Sequence, residues 1–210
     1  TCALPISYFT VDNGGNVVRV SKDKTDTVAQ LPDAVGAASF NGKFYTLTKN
    51  ELFSIEDLAK SVLKFTKTAT HIAAANEKLL ISFDDGTISV YDESLNEVKT
   101  LPISDVVSMS CNGFTAVIAT TQGVEIVKLS NYTSLIPDYF PQGLRLYGKP
   151  SSITISRDES YVIVGLDNGK VAVLPLNEPQ FTFCTVDKYN NTVSSKVVAV
   201  KYYKDGVVVT

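Results

Sequence analysis

The side chains able to do chemistry are few in this chain. It has one histidine (His71), three cysteines (Cys2, Cys111 and Cys184) and no tryptophan. His71 with Ser82 and Asp84 or Asp85 would make a Ser–His–Asp relay, in which the imidazole takes a hydroxyl proton and a carboxylate orients the ring. No G-x-S-x-G elbow or oxyanion loop accompanies them. The reading is therefore a hydrogen-bonded packing histidine. The carboxylates of Asp12, Asp84, Asp85 and Asp167 could suggest calcium, but a calcium loop converges several oxygens within one short segment. These four stand in three separate turns, where a short acidic side chain bonds its own backbone. The cysteines are odd in number, far apart and without C-x-x-C spacing, so neither a disulfide framework nor a zinc site is expected. They read as small apolar residues, and their pattern fits a reducing, cytoplasmic compartment. No catalytic, metal or cofactor-binding residue is expected.

Binding chemistry is more plausible. Ser130–Pro150 is the longest connection between recognisable strands, and it carries Tyr132, Tyr139, Phe140, Arg145, Tyr147 and Lys149, with Pro137, Pro141 and Pro150. Tyrosine and arginine are common interface anchors, and proline lowers the ordering cost of a loop. These six side chains are the candidate partner-binding loop. Asn131-Tyr132-Thr133 and Asn190-Asn191-Thr192 match the N-glycosylation triplet, which matters only in a secreted chain.

The elements that must hold these residues are short strands. The chain of 210 residues is 44% hydrophobic and 20% charged, an ordinary globular mix. Its net charge of −3 offers no basic footprint for nucleic acid, and no apolar run reaches the ~18 residues of a membrane helix. Val, Ile, Thr, Tyr and Phe recur in runs of strand length, such as Leu79–Phe83 and Tyr161–Val164. Only Glu56–Lys60 suggests so much as one helical turn.

Two turn series are interleaved. One begins at Asn41-Gly42, Asn76-Glu77, Asn112-Gly113, Asp158-Glu159 and Asp205-Gly206, with steps of 35, 36, 46 and 47 residues. The other begins at Asn13-Gly14, Lys49-Asn50, Asp85-Gly86, Gln122-Gly123 and Asn168-Gly169, with steps of 36, 36, 37 and 46. Asn-Gly and Asp-Gly predict two-residue type I′ hairpins, because both central residues then need positive φ. A period near 36–46 residues with four short strands per repeat is a propeller signature. The predicted fold is all-β: a partial β-propeller of about five blade equivalents made of four-stranded antiparallel sheets. Strands a, b, c and d run outward from the axis. The a–b turns form the first series and the b–c turns the second. Strand a is read at Val35–Phe40, Thr70–Ala75, Val106–Ser110, Ser152–Ser156 and Lys196–Tyr202, and strand b at Lys43–Thr48, Leu79–Phe83, Thr115–Thr120, Tyr161–Leu166 and Val207–Thr210. Residues 1–7 contain Ala3-Leu4-Pro5-Ile6-Ser7, which resembles the translation of a sequencing-library adapter. They are expected to be a non-native leader to an incomplete propeller over 8–210.

Ser156-Arg157-Asp158-Glu159 followed by Tyr161–Val173, and likewise Leu80–Asp92, resemble WD-repeat cores, with Tyr91-Asp92 standing where that family carries Trp-Asp. The chain has no Trp-Asp and no Gly-His dipeptide, and His71 falls in strand a when aligned on Asp85-Gly86. The resemblance therefore stops short of the family's Asp–His–Ser–Trp hydrogen-bond network. Residues 8–20, 106–129 and 150–174 are also similar to the C-terminal propeller of the actin-interacting protein 1 family, which helps cofilin take actin filaments apart. The WD-repeat resemblance implies a non-catalytic scaffold for protein partners, and the narrower one implies actin and cofilin. Two alternatives stand beside this reading. One is a lactonase-like or quinoprotein-like propeller enzyme with a channel-bound metal or cofactor near His71, Lys196 and Lys201. The other is a secreted receptor propeller using the two glycosylation triplets.

Overall fold

The computed structural model describes residues 8–21, 24–56, 58–135, 148–176, 182–184, 196–203 and 206–209. Among these the chain is all-β, with twenty-one strands and no helix. It divides after Pro102 into two compact units.

The first unit holds three antiparallel sheets. The first is β1 (Tyr8–Val11), β2 (Asn16–Val20) and β3 (Thr25–Gln30). The second is β4 (Ala34–Phe40), β5 (Lys43–Thr48), β6 (Glu51–Ile55) and β7 (Ala59–Lys64). The third is β8 (Ala69–Ala74), β9 (Leu79–Phe83), β10 (Ile88–Tyr91) and β11 (Glu97–Leu101). The second unit repeats the pattern. Its sheets are β12 (Val106–Asn112), β13 (Thr115–Thr120), β14 (Gly123–Lys128) and β15 (Thr133–Ser134), then β16 (Pro150–Ile155), β17 (Tyr161–Leu166), β18 (Val171–Pro175) and β19 (Thr182–Cys184). A two-stranded sheet, β20 (Val200–Tyr203) and β21 (Gly206–Val209), completes it. In each sheet the strands lie side by side in chain order. Successive sheets meet through their first strands: β4 lies against β8, β12 against β16, and β16 against β20.

In the sheets that begin at β8, β12 and β16 the second strand is the core. All five residues of β9 and all six of β13 are buried. Side chains alternate faces along a strand, so such a strand must be covered on both sides. On β17, Val162, Val164 and Leu166 join Val117, Ala119, Val124 and Ile126 of the preceding sheet. Ile163, on the other face, packs with Val171, Val197 and Val200. In the first unit Leu79, Ile81 and Phe83 face Phe40, Tyr45, Leu47 and Leu52. The outermost strand is wet by contrast: β11 buries only Leu101. Gly165 is glycine because the chain before β20 presses on it; a Cβ there would lie 2.4 Å from Val197 Cγ1.

Several expectations need correction. Ala59 and Lys60 open β7 and Glu56 sits in a bend, so no helical turn forms at Glu56–Lys60. Pairing with β6 satisfies that backbone instead. The strand expected at Lys196–Tyr202 begins only at Val200. Before it, Val197 is held to β17 by its own N–H donating to Leu166 O at 3.1 Å. Asp85-Gly86 and Asn168-Gly169 do not make two-residue turns. Phe83 and Leu166 accept from the glycine N–H, and only Gly86 (φ 83°) and Gly169 (φ 81°) are left-handed. These are three-residue loops that close on a left-handed glycine. The same geometry recurs at Asp12–Gly15, where Gly15 rather than Gly14 takes the positive φ. Each complete sheet also carries an irregularity near the start of its first strand, skipping Val35, Thr70, Val107 and Ser151 in the pairing.

Candidate functional site

The six expected partner-binding residues are dispersed. Tyr139, Phe140, Arg145 and Tyr147 lie outside the described residues, as do residues 1–7 and the Asn190–Thr192 triplet. Tyr132 and Lys149 are described, and they sit at opposite ends of β14. Tyr132 follows the strand in the turn to β15, with φ 60° and its N–H donating to Lys128 O at 2.7 Å. Lys149 lines a groove of about 460 Å³ with Gly148, Pro150, Thr121 and Gln122, the last two immediately preceding β14. Six residues of extended chain separate the two ends by roughly 20 Å. Thr121 and Gln122 were missed as site residues. The signal was present, since Gln122-Gly123 belongs to the turn series that shares an end with the d–a connections.

This end of each four-stranded sheet is tied to the loop before the sheet. Lys49, Asp84, Thr121 and Asp167 donate their backbone N–H to the carbonyls of Asp33, Thr68, Asp105 and Lys149, at 2.9–3.2 Å. Two of these ties are reciprocal: Thr68 N–H donates to Asp84 Oδ1 at 3.3 Å, and Lys149 N–H to Asp167 Oδ1 at 2.9 Å. Lys149 therefore has a fixed backbone under an exposed ammonium-bearing side chain. Lys67 bridges loop and turn in the third sheet. Its Nζ lies 2.7 Å from Asp85 Oδ2 and 5.5 Å from the centroid of the Phe83 ring. The Lys67 ammonium and the Thr87 hydroxyl hold the Asp85 carboxyl below its usual range.

The structure brings His71 and Ser82 together, as register partners on β8 and β9. His71 Nδ1 is 3.2 Å from Ser82 Oγ and 3.2 Å from Thr70 Oγ1, and the two hydroxyls are 2.7 Å apart. Ser82 is fully buried. Both oxygens of Asp85 are engaged by Thr87 and Lys67, and Asp84 Oδ1 by Thr68. The buried Ser82 hydroxyl serves here as a hydrogen-bond partner of Thr70 and His71. The acidic turns are likewise occupied by their own backbone: Asp12 Oδ1 accepts from Gly14 and Asn16 N–H at 2.8 and 2.9 Å. Asp92 does the same with Ser94 and Asn96, at 2.9 Å each. Cys111 is a free thiol in β12, and desolvation pushes its pKa up to about 12.

The opposite end of the second unit carries a second constellation. Asn112 Nδ2 donates to the carbonyls of Ser156 and Arg157 at 2.8 and 2.6 Å, and Thr115 Oγ1 donates to Glu159. Glu159 is left-handed at φ 58°. Asp158 braces the same loop: its carboxylate accepts from Ser156 Oγ, Ser160 Oγ and Ser160 N–H at 2.7, 2.6 and 3.2 Å. Those serine bonds bring the Asp158 carboxyl down to about 2.

No protein-family model matches the chain, and no curated protein does. Solved structures match its fold. The computationally designed Ika8 protein aligns with a TM-score of 0.70 at 13% identity, over 96% of this chain and 64% of that one. The Neurospora crassa Pan2 WD40 domain aligns with a TM-score of 0.64 at 12% identity, over 92% of this chain and 67% of its own. The chain thus spans about two-thirds of the length of either neighbour, and its fold is a WD40-like partial β-propeller.

Proposed function

We propose that this protein is a non-catalytic scaffold that binds a protein partner at the rim carrying Thr121, Gln122 and Gly148–Pro150. The observation that carries this reading is the groove of about 460 Å³ beside the start of β16. Its backbone is clamped by the paired Lys149–Asp167 bonds, so a partner meets a surface already ordered. In its finer form the partners are actin and cofilin, as for actin-interacting protein 1, and the compartment is the cytoplasm. Cosedimentation of the chain with cofilin-decorated actin filaments tests that form. Saturable sedimentation that Lys149→Glu weakens supports it. A chain that stays in the supernatant overturns the actin reading, and one that sediments equally well as Lys149→Glu overturns the groove.

A second reading, a propeller of the secretory pathway, draws on the Asn131 turn. Asn131 and Thr133 are exposed, and the Thr133 hydroxyl donates to Asn131 Oδ1 at 2.8 Å, leaving the amide nitrogen outside that bond. Treatment of the protein from its own cells with peptide N-glycosidase decides it. A mass loss at the Asn131 peptide favours this reading, and an unchanged mass removes it.

A further inference from the structure

Four Asn-Gly pairs occur in the sequence: Asn13-Gly14, Asn41-Gly42, Asn112-Gly113 and Asn168-Gly169. Asparagine before glycine is the peptide's most labile amide site, because no side chain shields the following nitrogen. Three of the pairs are tied down. Gly14 N–H donates to Asp12 Oδ1 at 2.8 Å. Gly169 N–H donates to Leu166 O at 3.3 Å, and Asn168 Oδ1 accepts from Lys170 N–H at 3.2 Å. Asn112 holds two carbonyls with its amide, and the Glu159 carboxylate covers Gly113.

Asn41-Gly42 differs on every count. Both residues are exposed and left-handed, at φ 47° and 72°. A Cβ on Gly42 would meet nothing within 4 Å. The hairpin is closed by Phe40 and Lys43 across the turn, not by the glycine nitrogen. Among the described residues the Asn41 side chain makes no hydrogen bond.

We propose that Asn41 is a site of spontaneous modification in the folded protein, cyclising with Gly42 to a succinimide that opens to isoaspartate. The Gly42 amide gives its proton to solvent base and its nitrogen attacks Asn41 Cγ. The N–Cγ bond forms, Cγ–Nδ2 breaks and ammonia leaves. Water then adds to either imide carbonyl, giving aspartate or isoaspartate with no redox change. The product carries an extra backbone methylene and a negative charge at the corner where Lys43 faces Glu56 at 3.8 Å. The Phe40–Lys43 register is lost there. The protein would thus carry an age mark at one defined corner, of the class read by enzymes that methylate isoaspartyl carboxylates.

The full chain is incubated in mildly alkaline buffer, folded and in urea, and the four sites are followed by peptide mass mapping with isoaspartyl methylation as the second readout. Asn41 should convert several-fold faster than the other three in the folded chain, with methylatable product at that site. In urea the four rates should become similar. Asn41→Gly, which suits the left-handed turn, should abolish the early methylation signal. A folded chain in which another pair converts first, or in which Asn41 yields aspartate alone, overturns the proposal. So does the same ranking persisting in urea.

Discussion

The corners at Asn41-Gly42 and Asn112-Gly113 begin with the same dipeptide and join first to second strands of two equivalent sheets. In the first, both residues are left-handed and occupy the two-residue loop, with Phe40 paired to Lys43. In the second the loop has moved on by one residue. Asn112 pairs with Thr115 inside the ladder, and Gly113-Phe114 makes the turn with Gly113 alone left-handed, at φ 50°. That pattern belongs to a II′ rather than a I′ turn. The difference comes from the neighbour. Asn112 is drawn into its strand by the carbonyls of Ser156 and Arg157, and Glu159 occupies the space over Gly113. A turn dipeptide sets where the chain reverses; what packs against the corner sets which residues reverse it.

The comparison can be broken from the largest effect downward. Asn112→Ala strips two carbonyls of their donor and should lower stability by about 2–3 kcal/mol, whereas Asn41→Gly should be close to neutral. Urea midpoints of the two variants measure this. Gly113→Ala should cost about 2 kcal/mol, since it forces a left-handed alanine and displaces the Glu159 carboxylate; Gly42→Ala meets only the backbone penalty of about 1 kcal/mol. Part of the Gly113→Ala cost should vanish in a Glu159→Gly background, because the displaced group is gone. A double-mutant cycle reads that coupling, and strict additivity would contradict the contact.

Acid should separate the corners more gently. The Asp158 carboxyl is depressed from 3.8 to about 2 by its serine partners. A depressed carboxyl contributes stability that is complete above its unfolded value and is lost as pH falls through its folded one. Between pH 3.8 and about 2 the loop that receives Asn112 should therefore loosen, and Asp158→Asn should flatten that limb. Amide exchange at Gly113 and Phe114 should rise over this window while that at Gly42 follows its intrinsic rate. Equal acceleration at both corners would show that Asp158 does not brace the second.

Much of the fold was legible in the residues. The second strands expected at Lys43–Thr48, Leu79–Phe83, Thr115–Thr120 and Tyr161–Leu166 have those bounds in the structure. They are well read because their central residues are buried and mostly apolar or β-branched. The outer strands carry a weaker pattern: Glu97–Leu101 buries one residue of five, and Thr133–Ser134 is only two residues long. Half-exposed positions accept many residue types and leave little pattern. The candidate site was less legible. Tyr132 and Lys149 are close in the text of the chain yet lie at opposite ends of β14, while Thr121 and Gln122, distant in sequence, share the groove with Lys149.

By itself the sequence determined the all-β class, the number of strands per repeat and the places where the chain turns back. Those are local properties, set by side-chain volume and by which residues tolerate positive φ. Only the tertiary structure decided the turn types, the skipped residues Val35, Thr70, Val107 and Ser151, the bridge between Lys67 and Asp85, and which asparagine amide stays unheld. Each of these depends on a group brought close from another strand or sheet, and no local propensity carries that information.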